Sequence, residues 1–230
     1  MGRPGPPRPP ATGRRLQTTL RSSCRCRRTP TLCDRNLHAP SRSSRSDELR
    51  GPNKVRRCGL IEAVTGITAQ IVEEVAQCRI KLVASLPDTW ISDLIEAFDQ
   101  DQRFIHVPVN REESAIGLCS GAFFSGTGAL ALMGASGFMT CIYALTKINY
   151  SYQIPLLIFI TLRGGFGDHA KYHVSNGLYL LPLMDSISMP YVIVDTPEKV
   201  TEIPRAYTHS RVMNRPVVVG FTRSVLRGEQ

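Results

Sequence analysis

Two stretches of this chain hold residue types suited to chemistry: a carboxylate at the start of a glycine-bearing helix, and a later loop of mixed charge. Glu112 follows a short apolar run, Phe104 to Val109, whose length and β-branched content predict a buried strand. Asn110 stands where a helix N-cap is expected, with Glu113 at capping-box spacing, so Glu112 falls in the first helical turn. Backbone N–H groups and the helix dipole favour a carboxylate there, whether for stability or for catalysis. Spacing alone leaves both readings open for Glu112, while Glu113 reads as the cap. The helix carries Gly117 and Gly121 on one face. Each interior glycine costs about 1 kcal/mol relative to alanine, so something is expected to approach this backbone closely.

The second stretch, LRGGFGDHAKYHV, groups Arg163, Asp168, His169, Lys171 and His173. A glycine-rich loop of this kind can receive a doubly charged acid, or it can simply be solvated. His169 and His173 are spaced to share one helical face as metal ligands, but no third ligand is evident. Cys24, Cys26 and Cys33 with His38 lack the paired spacing of a zinc site. Gly126 to Ala131 loosely matches a dinucleotide fingerprint, yet runs from helix into strand, the reverse of the order that motif requires.

The elements that must position these residues alternate along the chain. Helical spacing of Ile67, Ile71, Val72 and Val75 predicts a helix to about Cys78, followed by a strand at Ile80 to Leu86. Pro87-Asp88 is expected to cap a second helix, Thr89 to Asp99. Beyond the Glu112 helix come a strand at Leu130 to Gly134, a turn at Ala135 to Gly137 and a helix to about Lys147. Further strands are expected at Leu156 to Leu162, Tyr191 to Val194 and Val217 to Phe221. Helices near Leu178 to Ser188 and Pro197 to Met213 separate them, the second kinked at Pro204. Continuous apolar strands alternating with helices predict an α/β fold, a doubly wound parallel six-stranded sheet with helices on both faces. In such sheets ligands gather at the carboxyl ends of the strands, where Asp88, Glu112, Gly137 and Arg163 all fall.

Charge divides the chain in two. Residues 1–57 hold fourteen Arg and one Lys against Asp34, Asp47 and Glu48, about +12, which leaves about −3 for the rest of the overall +9. This Pro-, Arg- and Ser-rich segment is expected to be a disordered extension ahead of a domain at 60–230. A transit peptide and a nucleic-acid arm are weaker readings, given its proline density and its lack of interleaved aromatics. Seven cysteines, an odd number, point to free thiols in a reducing, cytoplasmic setting. No charge lies between Glu113 and Lys147, but glycines and serines divide that stretch into helix, strand and helix, so no membrane span is expected.

The strand, the acidic helix start, the glycine-bearing helix and the next strand resemble the pyrimidine-binding domain of thiamine diphosphate enzymes. In that family a glutamate is followed nine residues later by glycine, as Glu112 and Gly121 are here. VPVNREESAIGLCSGAFFSG, Val107 to Gly126, is similar to the alpha subunit of sulfopyruvate decarboxylase and to phosphonopyruvate decarboxylases. SLPDTW (Ser85 to Trp90), IPLLIFITLRG (Ile154 to Gly164) and MPYVIVD (Met189 to Asp195) extend the likeness over about Ile67 to Arg223. The resemblance implies that Glu112 is catalytic, its carboxyl hydrogen-bonding a ring nitrogen of the cofactor's aminopyrimidine, with Pro87, Asp88, Ser136 and Gly137 as further cofactor contacts. It implies substrate contacts from Arg163, His169, Lys171 and His173. The family's GDG metal motif is missing, since Gly167-Asp168 is followed by His169. Diphosphate and Mg2+ would then be held by a beta subunit, and this chain would hold no metal.

The same resemblance implies a split thiamine diphosphate-dependent carboxy-lyase (decarboxylase) subunit, inactive without its partner. Its substrate would be a small 2-oxo acid, sulfopyruvate or phosphonopyruvate, with no nucleic acid or membrane partner. Relatives carry an Asn-Ser-Gly-Leu-Gly-Asn-like turn where this chain has Ala135 to Thr140, so a degenerate, non-catalytic structural or regulatory subunit is the alternative.

Overall fold

The computed structural model describes residues 66–228. The expectations for residues 1–57, and for the cysteines within them, lie outside the described residues. Six parallel strands form one sheet: β1 Ile80–Ser85, β2 Ile105–Pro108, β3 Gly128–Gly134, β4 Leu156–Thr161, β5 Tyr191–Val194 and β6 Pro216–Phe221, in the order β2-β1-β3-β4-β6-β5. The four inner strands are apolar runs buried almost throughout, because each has helices on both sides. The two edge strands have only four residues each, and Pro108 ends β2, which blunts an exposed edge.

The alternation of strand side chains sorts the core into two layers. Val83, Leu130, Phe159 and Val219 pack under α1 (66–77), α2 (Ser92–Gln100), α7 (Glu202–Met213) and α8 (Arg223–Arg227). Ala84, Ala131, Ile158 and Val218 pack under α3 (Glu112–Phe124), α4 (Ala135–Thr140) and α6 (Val174–Ser186). The doubly wound fold expected from the sequence is therefore the fold observed.

Several helix boundaries depart from expectation for local reasons. α2 begins at Ser92, not Thr89, because the Asp88 carboxylate accepts the Trp90 N–H at 2.8 Å and holds a turn there. Ala135 to Gly137 is no turn but the first turn of α4, continued by α5 (Ile142–Ala144) and a π-helical segment, Leu145–Tyr150. α6 starts four residues ahead of Leu178. The stretch from Pro197 opens as a 3-10 turn, Pro197–Thr201, and Pro204 falls in the first turn of α7, where its missing N–H costs no helical bond and no kink is needed.

Close backbone packing fixes the exit of β4. Gly164 has φ of 78°, and a Cβ on Gly177 of α6 would overlap the Gly164 carbonyl. Gly177→Ala must push two backbones apart, at about 1–3 kcal/mol. We expect its unfolding midpoint to fall by roughly 2–12 °C, read by calorimetry on the full chain; an unchanged midpoint would show that the loop yields freely.

Among the described residues Cys78, Cys119 and Cys141 are free, as expected. Burial pushes the Cys119 thiol up to about 12 and, aided by the nearby Glu113 carboxylate, the Cys141 thiol as well. No described helix is long and apolar enough to cross a membrane.

Candidate active site

The helices after β2 and β3 leave toward one face of the sheet, while α2 after β1, the strand between them, leaves toward the other. Divergence of this kind opens a crevice at the carboxyl ends of the strands. Two carboxylates stand there. Glu112 is the first residue of α3 and is half-buried. Its N-cap is Arg111, whose side chain makes no capping bond, so the predicted Asn110–Glu113 capping box does not form. Glu113 instead lies 3.6 Å from the Arg111 guanidinium.

The Glu112 side chain reaches across to α4 and lies on Gly137: a Cβ at Gly137 would overlap its Oε1, Cδ and Cγ atoms. One turn earlier the same device recurs, since a Cβ on Gly134 would stand 2.6 Å from Asp88 Oδ2. The two glycines therefore make room for two carboxyl groups above β1 and β3. Ser136, between them, exchanges hydrogen bonds with Asn176 of α6 at 3.0 and 3.2 Å and so ties α4 to α6. Among the described residues nothing makes the close approach expected at Gly117 and Gly121, for no atom beyond the helix's own backbone lies within 4 Å of where their Cβ atoms would be. Both glycines are exposed, beside Ser114 and Leu118.

Asp88 is not a free ligand. Its Oδ1 pairs with Arg163, which also donates to Thr89 Oγ1 (3.2 Å) and stacks 4.2 Å above the Trp90 ring. A second guanidinium N–H of Arg163 meets His173 Nε2 at 3.1 Å. A guanidinium only donates, so His173 Nε2 accepts and its Nδ1–H points to Asp168 Oδ2, 2.8 Å away. Burial works to raise the Asp168 carboxyl, but the Gly164 and Ala170 N–H groups and His173 outweigh it and hold the carboxyl below its ordinary value. The half-buried Arg163 and the buried His173, both expected at the substrate, are tied into a network joining β1, β4 and α6; His169 and Lys171 are exposed on the loop. Among the described residues no group of three or more His, Cys, Asp or Glu is arranged to hold a metal.

Sequence reasoning passed over Trp90, Asn176 and His106. His106 Nε2 lies 2.7 Å from Ser85 Oγ and its Nδ1 2.8 Å from Asp99. Ser85 is closed to solvent, so this trio fastens β2 to β1 and α2 and presents no nucleophile. The cue available for His106 was a polar side chain inside an otherwise apolar strand.

No protein-family model matches the chain. It is 28% identical to the sulfopyruvate decarboxylase subunit alpha of Methanocaldococcus jannaschii over 144 residues, 62% of this chain and 85% of that protein. The subunit alpha of Methanococcus maripaludis is 26% identical over 150 residues, 65% of this chain and 90% of that protein. A sulfopyruvate decarboxylase of Methanosarcina acetivorans is 26% identical over 147 residues, which span 64% of this chain but 38% of that protein. Among solved structures, a 2-oxoglutarate:ferredoxin oxidoreductase from Magnetococcus marinus superposes with a TM-score of 0.53 at 12% identity, over 70% of this chain and 29% of that one. This domain resembles the pyrimidine-binding domain of thiamine diphosphate enzymes. In this domain the half-buried Glu112 carboxyl is seated on Gly137 at the carboxyl ends of the strands.

Proposed function

We propose that this chain is the pyrimidine-side subunit of a thiamine diphosphate-dependent 2-oxo acid decarboxylase, acting on sulfopyruvate or the similar phosphonopyruvate. The observation that carries this reading is the seating of Glu112 on Gly137, inside a domain whose sequence relatives are sulfopyruvate decarboxylase alpha subunits. Bound thiamine diphosphate would supply the carbon nucleophile that takes up the 2-oxo group and the electron sink that lets carbon dioxide leave. The protein's part is narrower. Glu112 holds a proton at its carboxyl oxygen toward the pyrimidine ring nitrogen, and Gly137 sets where that oxygen stands. Pro87 and Ser136 follow the carboxyl ends of β1 and β3, and Asp88 beside them is held by Arg163.

Diphosphate and Mg2+ fall to a beta subunit in this reading. Two observations support a second chain: the exposed, uncharged face of α3 has room at Gly117 and Gly121 for another backbone, and the alpha subunits are matched over 85% and 90% of their length while the longer relative is matched over 38%. The test uses the full chain with thiamine diphosphate and magnesium. Alone it should release no aldehyde from sulfopyruvate or phosphonopyruvate; with a GDG-bearing partner from the same genome it should turn over one of them. Turnover without a partner would remove the split-site reading, and a complex without turnover would favour the non-catalytic subunit. Gly121→Leu should fold normally, since Gly121 is exposed and no described atom lies within 4 Å of where its Cβ would stand, yet fail to co-purify with the partner.

A further inference from the structure

α6 is apolar on two opposite sides. Its inner side carries Asn176, Leu180 and Met184, all buried. At about 3.6 residues per turn, the side facing away from these is a stripe of Val174, Ser175, Leu178, Pro182 and Asp185, every one exposed. The 3-10 turn that leads into the helix, Lys171–His173, sets Lys171 at the head of the stripe, because side chains three apart eclipse in such a turn. No Asp, Glu, Lys or Arg lies between Lys171 and Asp185. α2, on the other face of the sheet, shows the ordinary surface pattern, with Asp93, Glu96 and Asp99 turned outward. A helix apolar all round is one that another layer covers.

The exposed apolar surface of the described residues is concentrated here, in Phe166, Tyr172, Val174, Leu178 and Tyr179. Tyr172 and Tyr179, two turns apart, flank the stripe on one side; Leu181 and Phe166, which share a cavity wall, flank it on the other. Aromatic side chains bury about 150–250 Å2 each, so the patch is on the scale of the roughly 800 Å2 that each partner gives to a stable interface. The ends of the stripe indicate what covers it. Lys171 and Asp185 stand equally far from Leu178 on either side, as do Val174 and Pro182. Two copies packed antiparallel about a two-fold axis at Leu178 therefore bring each Lys171 to the other copy's Asp185, each Val174 to Pro182, and Leu178 to itself. Among the described residues Lys171 has no ion pair. Asp185 takes the Tyr191 hydroxyl but is exposed, and a carboxylate accepts several hydrogen bonds at once.

We propose that the outer side of α6 is a homodimer interface, on which a second copy of this chain lies antiparallel about a two-fold axis through Leu178. It is separate from the face of α3 assigned to the beta subunit, since α4 lies between the two helices. It uses neither Glu112 nor Gly137, so it stands or falls independently of the decarboxylase reading.

Sedimentation equilibrium on the full chain, with no other protein present, should give twice the mass of one chain. Leu178→Asp sets two carboxylates against each other on the axis and should leave a monomer with the circular dichroism of the parent, since the side chain it replaces is exposed. The charges test the register. Lys171→Glu alone and Asp185→Lys alone each bring like charges together at both ends of the contact, and each should raise the dimer dissociation constant about tenfold. The double variant restores both pairs with their signs exchanged and should return that constant to within about threefold of the parent. A monomeric parent, the result expected if the beta subunit covers this face instead, would overturn the proposal. So would an undiminished dimer in Leu178→Asp, or single and double charge variants that behave alike. Should Leu178→Asp fail to fold, the charge variants decide it.

Discussion

Glu112→Gln is expected to lower turnover of the reconstituted complex about 100- to 10,000-fold, the usual range for a general acid–base group. Glutamine keeps the length of the side chain and one hydrogen bond, but it cannot hold and release a proton at that atom. Its amide fits the same space over Gly137, so the unfolding midpoint should stay close to that of the parent chain. Glu113→Gln is the internal comparison. Glu113 makes no cap, lies 3.6 Å from the exposed Arg111 in a contact worth about 0–1 kcal/mol, and otherwise stands near the Cys141 thiol, which the chemistry does not use, so neither turnover nor stability should change much. The measurement is steady-state decarboxylation, with cofactor binding followed separately by calorimetry. Equal losses at both positions, or none at Glu112, would remove the chemical role assigned to Glu112.

How much of this was legible in the sequence depends on how local each cause is. The strands were, since a run such as Leu156–Thr161 owes its character to burial on both faces, and that burial is written into every residue of the run. Helix starts were less so. Asp88 looked like the cap of α2, but its carboxylate is drawn to Trp90 N–H and to Arg163, 75 residues away, and only the pairing of β1 and β3 with β4 brings those groups together. The π-helical segment was equally hidden: Asn149 there donates to Ser120 and to the Ile154 carbonyl, contacts set by α3 lying alongside. Glu112 was legible through its place at a helix start after a strand. Its seat was not, for Gly137 looked like a turn residue with a cofactor contact of its own. What sets its position is that β2 and β3 flank β1, which places the first turns of α3 and α4 side by side.

That seat yields the sharper prediction, because it separates folding from chemistry. Gly137 has an ordinary helical backbone, so alanine there is not strained, and its helix propensity gains about 1 kcal/mol. The atoms nearest to the added methyl would be the Oε1, Cδ and Cγ of Glu112, a side chain that can rotate aside at the start of α3. Gly137→Ala should therefore unfold within a few degrees of the parent chain. The carboxyl oxygen, however, must move by about an ångström or more, and a displacement of that size is enough to cost about 100-fold in rate. A pure stability role for Gly137 would produce the opposite pattern, a lowered midpoint with turnover preserved in whatever remains folded. Parental turnover in Gly137→Ala would mean that the position of the Glu112 oxygen does not limit the reaction, and the contact between them would then be packing alone.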